Sequence, residues 1–253
     1  MASDGESIIY IADAASGYVH KFSASGEPRL SFQDDRMNLQ PADIAVDAGA
    51  AIYVADPRHR TVVIFFSDGM HHRQLRASAL AGARESMHIA VDSFGTIYVT
   101  AKRPFGVRRF SPALRLIGSW GSSAAHENAI ENPSGLAVGP DGLVYVSEAE
   151  SPQIKVYDAS GTSQRMLAAP PEASDARFSG LAVNGKFVFA IGAAQPSLYI
   201  WGLDGSYRMT QDLSAWIPTA SNPVARKIVV TPHADLLVLD PAAVRVFRFR
   251  LHL

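Results

Sequence analysis

Three features of the sequence predict an all-β chain of repeated antiparallel sheets. A phrase of two short apolar runs around a polar turn, Ile44-Ala45-Val46-Asp47 followed by Ile52-Tyr53-Val54-Ala55-Asp56, recurs along the whole chain. Its first half returns at Ile89-Ala90-Val91, Leu136-Ala137-Val138, Leu181-Ala182-Val183 and Ile228-Val229-Val230, at spacings of 45, 47, 45 and 47 residues. The runs are rich in Val, Ile, Tyr and Phe and bounded by Gly, Asp, Pro and Ser, the pattern of strand, turn and strand. No stretch keeps a helical apolar period over several turns, so helices are at most incidental.

The second half of the phrase appears six times, as Ile9-Tyr10-Ile11, Ile52-Tyr53-Val54, Ile97-Tyr98-Val99, Val144-Tyr145-Val146, Phe187-Val188-Phe189 and Leu236-Leu237-Val238. A third run follows each, from Val19-His20-Lys21-Phe22 to Val244-Arg245-Val246-Phe247. Turns such as Ser67-Asp68-Gly69 and a weaker fourth run, for example Leu114-Arg115-Leu116-Ile117, come after most of them. Four short antiparallel strands in about 45 residues are the signature of a propeller blade, and six copies predict a six-bladed β-propeller in a single domain. The blade units run approximately over 8–40, 41–85, 86–131, 132–176, 177–223 and 224–253. The recurrent Ala of the first strand suits the narrow inner edge of a wedge-shaped blade, and Tyr10, Tyr53, Tyr98 and Tyr145 are expected to pack further out. The first unit begins at its second strand, so the first or last blade is expected to be incomplete or strand-exchanged. Residues 248–253 are one candidate for the closing strand.

Composition narrows the function. With 23 basic and 24 acidic residues, the net charge of −1 gives no global pull toward nucleic acid or anionic lipid. There is no cysteine, which removes disulfides, thiol catalysis and zinc–thiolate sites. No apolar run is long enough for a membrane span, and the N-terminus lacks the pattern of a signal peptide. The chain therefore reads as soluble, with its compartment and oligomeric state open.

The pattern Pro-x-x-Ile-Ala-Val-Asp, Gly-x-Ile-Tyr-Val-Ala-Asp, Arg-x-Arg, Val-x-x-Phe and Asp-Gly resembles the NHL repeat. It is best matched over residues 41–69, where Arg58-His59-Arg60 stands in place of that repeat's frequent Asn-His-Arg. The resemblance weakens in the fifth and sixth units, at Ala190-Ile191-Gly192 and Leu239-Asp240-Pro241. It implies fold rather than function, because the family holds scaffolds, RNA binders, sensors and a few enzymes.

In such a propeller the axial face is built by the residues leading into each first strand and by the loops after each second strand. The ligand-binding candidates there are Asp43, Arg58, His59, Arg60, His88, Lys102, Arg103, Arg226 and Lys227. Arginine presents a planar fork suited to phosphate and carboxylate, while Glu148 and Glu150 make the fourth blade acidic. The expected role is a non-catalytic binding, sensor or scaffold propeller for a protein or a small anionic ligand. One alternative is a metal-assisted hydrolase or lyase. The fold resembles the six-bladed peptidyl-amidoglycolate lyases, where His residues leading into first strands hold zinc, but the matching positions here are Ala42, Met87, Ser134, Ser179 and Arg226. The lactonase-type propellers need a cluster of oxygen ligands, and Asp43 is the sole acid among the residues that lead into the first strands. A second alternative is single-stranded RNA binding, with Phe105 and Trp120 as stacking rings. No cofactor, metal or catalytic residue is assigned. His71-His72 reads as surface histidine, and Asp13, Asp56 and Asp240 as acceptors for backbone N–H groups of the following turns.

Overall fold

The computed structural model describes residues 1–83, 87–102, 104–122, 129–217, 226–233, 235–241 and 245–250. Its strands form six antiparallel sheets, each laid down in chain order without crossover. Two short 3₁₀ segments, Ala77–Leu80 and Pro171–Ala173, are the helical elements among the described residues.

The chain divides into two compact units, Met1–Glu131 and Asn132–Leu253. The first unit holds three four-stranded sheets. Sheet 1 comprises β1 (Ala2–Ser3), β2 (Ile9–Ala12), β3 (Val19–Phe22) and β4 (Pro28–Phe32). Sheet 2 comprises β5 (Asp43–Val46), β6 (Ile52–Asp56), β7 (Thr61–Phe65) and β8 (His71–Leu75). Sheet 3 comprises β9 (His88–Val91), β10 (Ile97–Ala101), β11 (Gly106–Phe110) and β12 (Leu116–Trp120). The second unit holds sheet 4, with β13 (Pro133–Val138), β14 (Val144–Glu148), β15 (Gln153–Tyr157) and β16 (Ser163–Ala168). Sheet 5 has β17 (Phe178–Val183), β18 (Phe187–Gly192), β19 (Ser197–Gly202) and β20 (Tyr207–Asp212). Sheet 6 has three strands among the described residues, β21 (Lys227–Val230), β22 (Asp235–Asp240) and β23 (Arg245–Arg250).

One expectation is corrected. The first blade does not begin at its second strand, because Ala2 and Ser3 pair with Tyr10 and Ile9 and supply a short first strand from the chain's own start. Residues 245–250 likewise serve as the third strand of sheet 6 rather than completing another sheet; residues 251–253 lie outside the described residues.

The repeat phrase builds a rung common to sheets 1 to 4. Ala2, Ala45, Ala90 and Ala137 stand directly opposite Tyr10, Tyr53, Tyr98 and Tyr145 on the neighbouring strand. The four tyrosines are buried. Their hydroxyls donate to Asp4, Asp47, Asp92 and Asp141 at 2.9, 2.8, 3.5 and 3.0 Å. The other oxygen of each Asp accepts N–H groups of the same turn, for example Gly49 and Ala51, both 2.9 Å from Asp47. Each Asp therefore closes one hairpin and receives the proton of one buried phenol. Burial foremost, with the neighbouring carboxylate, holds these tyrosines above their usual range; Tyr145 is pushed up to about 12.

Within each unit the first strands of consecutive sheets lie against one another, β1 on β5 and β5 on β9 in the first, β13 on β17 and β17 on β21 in the second. Apolar residues between the sheets form the cores. One gathers Ile52, Val54, Val63 and Phe65 with Tyr10 and Val19, and another gathers Ile64, Leu75 and Val62 with Ile97, Val99 and Phe110. The second unit does the same with Tyr145, Val156, Phe178 and Trp201, and with Phe189, Ile200, Ile228 and Leu236. The Asp–Tyr rungs close one end of the sheets, which leaves the opposite end for loops with other tasks.

Candidate functional site

That opposite end begins at the residue ahead of each Ile-Ala-Val run. In the first unit Asp43 pairs across β6 with Ala55, and His88 pairs across β10 with Thr100. The two residues hold the same place in successive repeats, and the packing of β5 on β9 brings them together. His88 Nδ1 lies 3.4 Å from Asp43 Oδ2, and both side chains are 10% exposed. The same carboxylate oxygen accepts the Ile89 amide at 3.4 Å, so Asp43 ties sheet 2 to sheet 3. A carboxylate beside an imidazole orients the ring.

Because Asp43 opposes Ala55, the turn after β6 lies at this same end of sheet 2. That turn carries the basic triplet. His59 is pinned inward: its Nδ1 lies 2.7 Å from Asp56 Oδ2 and its amide donates to Asp56 Oδ1 at 3.0 Å. Asp56 is fully buried and also accepts the Gln40 amide at 2.9 Å. The neighbours of His59 behave differently. Arg58 and Arg60 are exposed, and Arg60 sits in the left-handed region with φ of 52°. The turn after β10 holds this end of sheet 3, with Lys102 exposed; Arg103 lies outside the described residues.

The two candidate cations leading into sheet 6, Arg226 and Lys227, belong to the second unit. Arg226 is fully buried. Its Nε donates to Asp240 at 2.8 Å, and its Nη1 donates to the carbonyls of Ala193 and Gly192 at 2.8 and 3.2 Å. Lys227 is half-buried at the start of β21. Of the two acids expected to make the fourth blade acidic, Glu148 is buried and paired with Lys155 at 2.5 Å, whereas Glu150 is exposed.

Asp13 does accept turn N–H and hydroxyl groups, from Ala15 at 2.9 Å and Ser16 at 2.6 Å, while Asp240 serves Arg226. Phe105 is buried with the Arg108 guanidinium 4.3 Å above its ring. It presents no face for a nucleic-acid base, which corrects the expectation of an available ring. Trp120 packs edge-on to Tyr98, with centroids 6.5 Å apart. His71 is not a surface histidine: its Nδ1 lies 2.8 Å from the buried Asp34. This pair, at a cleft of about 520 Å³ with Ser31, Asp35 and Asp68, was missed in the sequence because 37 residues separate its members. Among the described residues no three His, Cys, Asp or Glu side chains converge as a metal site would require. No helix among them is long and apolar enough to cross a membrane.

The sequence matches no protein-family profile and no curated protein. Solved structures do resemble it. Virginiamycin B lyase from Staphylococcus aureus superposes with a TM-score of 0.67 at 12% identity, covering 93% of this chain and 74% of that one. A catalytically inactive His-to-Ala variant of that lyase with quinupristin gives a TM-score of 0.68 at 12% identity over 97% of this chain and 78% of that one. A streptogramin B lyase gives 0.67 at 11% identity, covering all of this chain and 82% of the other. At such identities the likeness shows the fold, a six-bladed β-propeller.

Proposed function

We propose that this chain is a non-catalytic binding propeller that takes an anionic ligand at the end of the first unit bearing Arg58, Arg60 and Lys102. The observation that carries this reading is the contrast within one turn. His59 is locked to a buried carboxylate, while the two flanking guanidinium groups project into solvent. Holding a non-glycine residue at the φ of Arg60 costs about 1 kcal/mol, yet an arginine stands there. The Asp43 carboxylate is taken up by His88 and the Ile89 amide, so the exposed charge of this edge is cationic. Two planar forks on one turn suit a phosphate or carboxylate group. Titration of inorganic phosphate and citrate, followed by backbone amide shifts, tests it. Shifts confined to residues 57–60 and 88–102, weakened by salt and lost in Arg58→Ala/Arg60→Ala, are expected; no salt-sensitive shift there would sink the reading.

One observation favours a second reading, a lyase. His88 beside Asp43 has the chemistry of an oriented general base, and the similar folds reported above include lyases with a functional histidine. Quinupristin consumption, followed by mass spectrometry for the wild type and His88→Ala, separates the readings. Turnover lost in the variant replaces binding with catalysis; an unchanged antibiotic leaves binding.

A further inference from the structure

One Asp–His pair of the first unit stands at the other end of sheet 2 from Arg58 and Arg60. The connection from β4 to β5 carries Asp34, and β8 opens with His71, opposite Phe65. His71 Nδ1 lies 2.8 Å from Asp34 Oδ2; the carboxylate is fully buried and the imidazole side chain is 14% exposed. The other Asp34 oxygen accepts the Arg36 amide at 2.8 Å, which holds the carboxylate in place. Phe65 meets the imidazole edge-on, with centroids 6.1 Å apart. The ring is thus oriented from two sides. A carboxylate only accepts, so Nδ1 carries the proton and Nε2 of the neutral ring is an acceptor. Nε2 has no partner among the described residues, and His71 lines the cleft of about 520 Å³ between sheets 1 and 2.

The surroundings of this pair say what would suit the cleft. The β7–β8 turn is pressed onto sheet 1: Gly69 has φ of 85°, and a Cβ there would stand 2.6 Å from the Phe32 ring. That close approach sets Asp68 and Met70 at the cleft, together with Asp35, Arg36 and Tyr18 of the first sheet and its outgoing connection. The lining carries the three carboxylates of Asp34, Asp35 and Asp68 against the one guanidinium of Arg36. Its charge is net negative whichever form His71 takes. Asp35 and Asp68 are exposed and form no ion pair among the described residues. The half-buried Tyr18 and the exposed Met70 add apolar surface. Asp56–His59 makes the same contact at 2.7 Å, but it stands between two arginines. The chemistry of the two pairs is alike and the charge around them is opposite.

We propose that this cleft binds an alkyl ammonium group, which donates to His71 Nε2 and to the Asp35 and Asp68 carboxylates and lays its alkyl chain against Tyr18 and Met70. The oriented Nε2, rather than the acids alone, marks the site. An ammonium has three donors and no acceptor, which matches acceptors set in net negative charge, and a cation beside a tyrosine ring gains further attraction. Asp34 is a positioning residue that acts through His71. An anion is a poor occupant because it would face three carboxylates. A metal ion is another, because no three His, Cys, Asp or Glu side chains converge among the described residues.

The test is a titration with n-butylammonium at about pH 8, where an ordinary imidazole is neutral. It is read by nuclear magnetic resonance at the His71 ring nitrogens and at the amides of residues 31–36 and 68–71, which line the cleft. Butylammonium should shift Nε2 and those amides in a salt-sensitive way, whereas n-butanol and butyrate should not. Asp35→Asn/Asp68→Asn should weaken binding by about ten-fold or more. His71→Asn keeps an N–H for Asp34 and removes the Nε2 acceptor, so with its circular dichroism unchanged it should weaken binding as well. No shift in the cleft, an equal response to butanol, or full binding in either variant overturns the proposal. Given the expected shifts, a capped lysine peptide separates the sources. Tighter binding than butylammonium assigns the cleft to a lysine of a partner protein, and equal or weaker binding assigns it to a free amine.

Discussion

The residue ahead of each Ile-Ala-Val or Leu-Ala-Val run meets opposite conditions in the two units. In the first it is Asp43 and His88, whose side chains fill the space between β5 and β9 and meet at 3.4 Å. In the second it is Gly135 and Gly180. A Cβ on Gly180 would stand 2.8 Å from the Arg226 carbonyl, and one on Gly135 would stand 2.8 Å from Ser147 Oγ and 3.2 Å from the Leu181 amide. One repeat position therefore serves polar chemistry where neighbouring strands leave room and close backbone approach where they do not. The ion pairs follow the same division. Arg226–Asp240 is fully buried and belongs to the second unit's packing, while the first unit keeps Arg58 and Arg60 in solvent.

The largest effect should come from breaking the packed side of this contrast. Arg226→Ala leaves Asp240 buried without its cation and should cost about 3–5 kcal/mol in urea unfolding. Arg226→Met with Asp240→Leu should recover most of that, as the group then lost is no longer an uncompensated charge. A cost of Arg226→Ala below about 1 kcal/mol would remove Arg226 from the structural side.

Gly180→Ala comes next, at about 1–3 kcal/mol, because its Cβ meets backbone rather than a movable side chain. Asp43→Asn should cost about 1 kcal/mol or less, since the pair is loose and an amide oxygen can still accept the Ile89 N–H. Equal costs for the two would erase the distinction drawn between the units.

The Ala–Tyr rung is common to both units and serves as a reference. The folded-state pKa of Tyr145 lies above its unfolded value, so the folded state keeps a proton that the unfolded state releases. Its contribution is complete below about pH 10 and is lost as pH rises toward about 12. Tyr145→Phe should flatten that alkaline limb of the stability curve; an unchanged slope would mean that the rung does not hold the phenol neutral. The smallest effect on stability belongs to Arg58→Ala/Arg60→Ala, within about 0.5 kcal/mol by thermal unfolding. A larger loss would make these arginines part of the packing.

Much of the fold was legible in the residues, and the reason is periodic. Alternating burial in short strands imposes Val, Ile and Tyr at fixed intervals, and each hairpin needs its Asp or Gly. Even β1 had a signal: Ala2-Ser3-Asp4 precedes Tyr10 by the same six residues from Asp to Tyr as Asp47 and Tyr53. The site was less legible. His59 and Arg58 look alike in a basic triplet, yet only one faces a buried carboxylate. Arg226 has the same formal charge as Arg60 and none of its exposure.

Local sequence by itself determined the strands, their order and the Asp–Tyr rungs, because each depends on residues within one hairpin. Tertiary structure alone decided which charges are spent. The pairs Asp43–His88 and Asp34–His71 join residues that are distant in the chain. Whether a charge is buried against a partner or left in water depends on how closely neighbouring strands approach, a distance no single repeat encodes.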